Sequence, residues 1–129
     1  MKVHVIGSLS DLAADCAGIV RRVPGDLRKT VRNGAKVGNV VARDFARVSS
    51  RQHAKLYPQK FSSEMTLNGL FGLYAAEYGP TTGGQGNLAP ILENGSVNNP
   101  AHNNLARSAD LMGPALLGEV HKLTGEWFW

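Results

Sequence analysis

Between residues 27 and 49 the chain carries a pattern that leaves little choice of fold. At 100° per residue, Leu27, Val31, Ala35, Gly38, Ala42, Phe45 and Val48 fall on one arc of a helix, with Gly34 and Val41 beside them. Arg28, Lys29, Arg32, Lys36, Arg43 and Arg47 fall on the opposite arc. Such a helix has one face for a core and one basic face, and other elements must cover the first. Gly34, Ala35 and Gly38 let that cover approach closely, although a glycine inside a helix costs about 1 kcal/mol relative to alanine.

The remaining segments supply the cover. Residues 2–7 are β-prone (Val3, Val5, Ile6), and Ser8 or Ser10 can cap a short helix over residues 11–23, with Asp11 at its positive end. Pro24-Gly25 interrupts that helix, and the proline suits the first turn of the next. Residues 61–79 alternate as a β-hairpin, with Asn68-Gly69 as a type I′ turn and residues 70–78 as the returning strand. A Gly-rich loop at 80–90 has little to bury and is expected to be mobile. Residues 91–97 read as a further strand with a turn or bulge at Glu93-Asn94-Gly95, and Asn98-Asn99-Pro100 precedes a last helix. That helix places Leu105, Ala109, Met112, Leu116, Val120 and Leu123 at spacings of three and four, and Gly113-Pro114 is expected to kink or split it. The class is therefore α+β: a small antiparallel sheet with a β-hairpin, packed by a long amphipathic basic helix and a C-terminal helix. A length of 129 residues suits one domain over residues 1–129.

Charge is distributed unevenly. Residues 21–60 hold eleven lysines and arginines against Asp26 and Asp44, whereas residues 61–129 hold Arg107 and Lys122 against six acids. A chain divided this way points to an anionic partner, either nucleic acid or an acidic protein surface. There is no apolar run of about 18 residues, so no membrane partner is expected. The N-terminus lacks a signal-peptide core, and Cys16 is the only cysteine; both fit synthesis in a reducing cytoplasm.

No residue pattern points to catalysis. Cys16 lies among alanines, where a small buried thiol is the expected role. His4, His53, His102 and His121 never recur at three or four residues, the spacing that places two metal ligands on one helix face. Gly84-Gln85-Gly86-Asn87-Leu88-Ala89 fits a loose dinucleotide fingerprint, but Pro90 stands where the phosphate-binding helix should begin. No GKS or GKT occurs. The expectation is a non-enzymatic chain with no cofactor and no metal.

From residue 53 the local patterns follow a recognisable order. His53-Ala54-Lys55-Leu56-Tyr57-Pro58 leads into a hairpin ending Tyr74-Ala75-Ala76-Glu77-Tyr78-Gly79-Pro80, followed by the Gly-rich loop. Then come Leu92-Glu93-Asn94-Gly95-Ser96-Val97-Asn98-Asn99-Pro100-Ala101-His102 and a helix with Leu105-Ala106-Arg107-Ser108-Ala109-Asp110. This order resembles the tail-completion (neck, head–tail joining) proteins of siphophages, particularly those of actinobacterial hosts, over roughly residues 25–122. The family form has Pro-Pro-His where this chain has Pro100-Ala101-His102, and often a longer link after the basic helix. The resemblance implies an antiparallel sheet with helices packed on it and a ring, most often of six copies, at the head–tail junction of the virion. It implies as partners copies of the chain itself, adjacent connector and tail-tube or terminator proteins, and genome DNA passing the lumen without sequence-specific contacts. A tail terminator or head-side connector has similar size and composition.

In a ring each copy meets two neighbours through different faces. Candidates for those faces are the stripe Arg28, Arg32, Lys36, Arg43 and Arg47, and the acids Glu64, Glu77 and Glu93. The terminal Trp127, Phe128 and Trp129 are a further candidate, packed on the chain's own core or on a neighbour. The competing reading is a small basic protein that lays the stripe on nucleic-acid phosphates. It lacks the aromatic residues that would interleave such a stripe.

Overall fold

A computed structural model describes residues 9–50 and 53–128; the β-prone segment 2–7, Arg51 and Trp129 lie outside the described residues. The described chain runs α1 (Leu9–Ser50), β1 (Phe61–Asn68), β2 (Tyr74–Pro80), α2 (Ala89–Asn94) and α3 (Asn104–Phe128), with 3-10 turns at Pro58–Lys60, Leu70–Gly72 and Gly84–Leu88. The α+β class holds, with the hairpin and α3 both packed on α1.

Two expected breaks are absent. α1 is one helix of 42 residues, about 63 Å at 1.5 Å per residue, and Pro24 lies inside it. α3 likewise continues through Gly113 and Pro114. A proline removes one helical hydrogen bond and crowds the carbonyl four residues earlier. Here Pro24 and Pro114 are exposed, as are Val20 and Asp110, whose carbonyls lose their partners. Water can satisfy those groups, so helix continuity survives.

α1 and α3 run antiparallel. Ser49 Oγ donates to Asn104 Oδ1 at 2.9 Å near one end, and Trp127 Nε1 donates to Asp26 Oδ2 at 2.8 Å near the other. The hairpin lies on the second half of α1, where Ala35, Gly38, Asn39, Ala42 and Ala46 are buried and Tyr78 presses on Gly38. The core is Ala42, Ala46, Ala54, Tyr57 and Phe61, bordered by Tyr78, Ala89, Leu92 and Leu105. Tyr57 and Phe61 meet edge to face at 5.1 Å. Val48, placed on the core arc by its spacing, is 68% exposed, because the 53–61 segment closes over Ala46 and Ser50 instead.

The hairpin is antiparallel and pairs Phe61 with Pro80 through Asn68 with Tyr74, with a bulge between Met65 and Leu67. Its turn is longer than the two residues expected. Gly69 does take positive φ (102°), but Leu70, Phe71 and Gly72 then form a 3-10 turn before the chain returns. The second strand therefore starts at Tyr74 rather than residue 70. A bond from Gly69 N to the Leu73 carbonyl at 2.8 Å closes this loop.

Two further expectations give way in residues 80–97. The Gly-rich stretch forms a 3-10 turn tied down by Thr81 N to the Lys60 carbonyl (2.8 Å), Gly83 N to Asn87 Oδ1 (2.9 Å) and Leu56 N to Gln85 Oε1 (2.7 Å). Gly86 is buried, and a Cβ there would collide with the Thr81 carbonyl. The expected strand at 91–97 is helix α2 at its start, because Pro90 suits the first turn, and an irregular loop thereafter. No described helix is long and apolar enough to cross a membrane.

Candidate assembly surfaces

Glu93 sits on α2, where the turn after the Gly-rich stretch drives its carboxylate inward; only 8% of the residue is exposed. Its Oε1 accepts from Tyr57 Oη at 2.8 Å and Asn104 Nδ2 at 3.1 Å, and its Oε2 accepts from Leu105 N at 3.0 Å. The last bond supplies an acceptor for a free N–H in the first turn of α3, and negative charge suits that helix end. Asn104 Oδ1 accepts in turn from Ser49, so one carboxylate links α1, the 53–61 segment, α2 and α3. Burial first, then the bond to Glu93 and its charge, push the Tyr57 hydroxyl well above its ordinary range. Nearby, Tyr78 and Ser108 share a hydroxyl–hydroxyl bond of 2.8 Å that ties β2 to α3.

This node removes Glu93 from the set of surface acids: it is consumed within its own subunit. Sequence spacing could not show this, since Glu93 has no charge or periodicity to separate it from Glu64 or Glu77. No sequence pattern marks Tyr57 or Ser49 as its partners either. The one available signal was the polar Asn103-Asn104 pair at a helix start.

The basic stripe divides into two parts. Arg28, Arg32 and Lys36 are exposed and lie one helical turn apart, about 6 Å per step. The ion pairs among the described residues are Arg47–Asp44 (3.2 Å) and Lys122–Glu119 (2.9 Å), so none of these three has one. Arg47 is exposed but spends its charge on Asp44. Arg43 is half-buried, and its Nη2 donates to the Phe61 carbonyl at 3.1 Å, fixing the start of β1 on α1. Arg43 is thus a structural residue as well as a cation.

Glu64 and Glu77 are both exposed and stand directly opposite one another on the two strands. Like charges so placed disfavour the pairing by roughly 0.2–1 kcal/mol, so the hairpin carries a small electrostatic penalty that a cationic neighbour would relieve.

At the C-terminus, Trp127 is half-buried and bonded to Asp26 of its own α1, whereas Phe128 is 63% exposed; Trp129 lies outside the described residues. Trp127 and Phe128 line one hollow with Leu12, Cys16 and Ile19 of α1. Cys16, expected to be buried, is exposed on the first half of α1, where residues 9–17 are all exposed. No cluster of three or more His, Cys, Asp or Glu suited to a metal occurs among the described residues. A short helix does follow the Gly84–Leu88 turn, but it has six residues and opens on Ala89-Pro90, not on a free N–H cradle. No protein-family model, characterised protein or solved structure matches this chain.

Proposed function

We propose that the chain is a structural subunit of a phage neck, a tail-completion protein that forms a ring at the head–tail junction through which the genome passes. The observation that carries this reading is the segregation of exposed charge by element, cations on α1 and acids on the hairpin. Among the described residues, Arg28, Arg32 and Lys36 form a cationic row on α1 with no ion pair. Glu64 and Glu77 stand opposite one another as an anionic spot on the hairpin, Glu64 sharing a hollow with Arg32 and Lys36. A closed ring needs mutually complementary faces on each copy, and opposite charges left without ion pairs in the subunit can supply that complementarity between copies. The resemblance of residues 25–122 to siphophage neck proteins supports the same reading.

Inactivating the gene in its phage should give unjoined heads and tails, and supplying the protein in trans should restore joining. The Arg32→Glu/Lys36→Glu protein should fold but fail to restore it. Normal particles without the protein would refute the proposal. The cationic row also favours a second reading, a small nucleic-acid-binding protein. Tight, salt-sensitive binding of bulk duplex DNA by the free protein, lost on the same double reversal, would select it.

A further inference from the structure

Among the described residues the sheet has two strands, and no further described strand covers the other edge of β1 or of β2. The direction of their backbone groups follows from one bond. Thr81 N donates to the Lys60 carbonyl at 2.8 Å, which makes these two residues a hydrogen-bonded pair. Antiparallel pairs alternate, so Ser62 with Gly79 and Glu64 with Glu77 turn toward one another. The backbone groups of Phe61, Ser63 and Met65 on β1, and of Ala76 and Tyr78 on β2, then face away from the ladder. The Phe61 carbonyl confirms this direction, since Arg43 reaches it from outside. Among the described residues, no hydrogen bond outside the ladder is made by the backbone of Ser63, Met65, Ala76 or Tyr78.

We infer that the free edge of β2 in one copy pairs with the free edge of β1 in the next, so that the hairpins of a ring join into one continuous antiparallel sheet. This inference rests on the ring reading. Three observations favour it. Exposed strand edges are ready-made templates for pairing, and closure into a ring removes both at once. A head-to-tail arrangement keeps β1 of the next copy in the same direction as β1 of the first, and hence antiparallel to β2, as the ladder requires. Charge bears on the partner edge. β1 carries Glu64 but is flanked by three cations of α1: Arg43 at the Phe61 carbonyl, and Arg32 and Lys36, which line one hollow with Ser63, Glu64, Met65 and Ala76. β2 carries Glu77 and no lysine or arginine. A two-fold β1–β1 contact would instead bring two basic borders together.

The test compares amide exchange in the free protein and in its assembled form. Assembly should slow exchange at Ser63, Met65, Ala76 and Tyr78 together, by about 100-fold or more. Ser63→Pro removes an outward N–H while leaving the bonds to β2, a change that sheet edges tolerate. It should raise the concentration needed for assembly about tenfold or more while circular dichroism stays unchanged, and Ser63→Ala should assemble normally. Rings in which these amides still exchange fast, or in which a folded Ser63→Pro chain assembles like the original, overturn edge pairing and leave the ring reading standing. Protection at Ser63 and Met65 alone, in a dimer, overturns it in favour of the two-fold contact. Absence of any higher-order species, both in solution and in particles, overturns both. Should Ser63→Pro fail to fold, exchange in the unmodified protein decides.

Discussion

Glu93 is the residue on which most of the internal polar structure converges. Replacing it with alanine leaves the Tyr57 hydroxyl and the Asn104 amide buried without an acceptor and strips the α3 start of its cap. The expected loss is about 3 kcal/mol, readable by urea denaturation, since each orphaned buried donor costs ~1–3 kcal/mol. A loss below about 0.5 kcal/mol would mean the node is incidental. The partner residue gives a pH signature. The hydroxyl of Tyr57 is raised in the folded protein, so folding favours its protonated form. A raised group contributes stability that is present in full below its unfolded value, near 10, and is lost as pH climbs above that. Stability should therefore fall from about pH 10 upward, and Tyr57→Phe should make that fall shallower while weakening the protein at neutral pH. An identical alkaline slope in the variant would contradict this account of the node.

At the scale of elements, Gly38 offers a test in which two effects have opposite signs. Helix propensity alone says that Gly38→Ala stabilises α1 by about 1 kcal/mol. Packing says the reverse: a Cβ at Gly38 would stand 2.5 Å from Tyr78 Cε1, whose ring is pinned by its bond to Ser108. The expected result is a net destabilisation of about 1–3 kcal/mol, in line with overpacked cores. A stabilised variant would show that β2 does not press on α1 as described. Small residues at 34, 35 and 38 were legible in the sequence as a site of close approach, and so were the basic arc, the hairpin and the last helix. Other features were not legible because tertiary context decides them. Pro24 and Pro114 read as breaks, but their exposed positions let water take up the freed carbonyls. The Gly-rich stretch read as mobile, yet Gln85, Asn87 and Thr81 spend their polar groups on holding it. Glu93 read as one acid among three, and only the packing of α2 against α3 shows that it is buried. The tethered stretch makes its own prediction: the Thr81 and Gly86 amides, bonded to the Lys60 and Gly83 carbonyls, should exchange slowly even in the free protein. Exchange there as fast as in an unfolded peptide would restore the expectation of a mobile loop.

For the whole molecule, the decisive property is that, among the described residues, Arg28, Arg32, Lys36, Glu64 and Glu77 form no ion pair. Exposed ion pairs are worth only about 0–1 kcal/mol each, so no single one should hold an assembly together. Repeated around a closed ring, they fix which face meets which and penalise the reversed orientation. Arg28, Arg32 and Lys36 on α1, and Glu64 and Glu77 on the hairpin, are the residues left for that role once Arg43, Arg47 and Glu93 are assigned to the subunit itself. Assembly should consequently weaken as salt rises through the range where screening lengths shorten to ~10 Å and below. The central claim is most directly tested by electron microscopy of the head–tail joint in particles that carry this chain. The account predicts a closed ring of copies around the DNA path, with Arg28, Arg32 and Lys36 of each copy set against Glu64 and Glu77 of the next. A joint from which the chain is absent, or a ring whose α1 row faces solvent or DNA with no acidic neighbour, would contradict it.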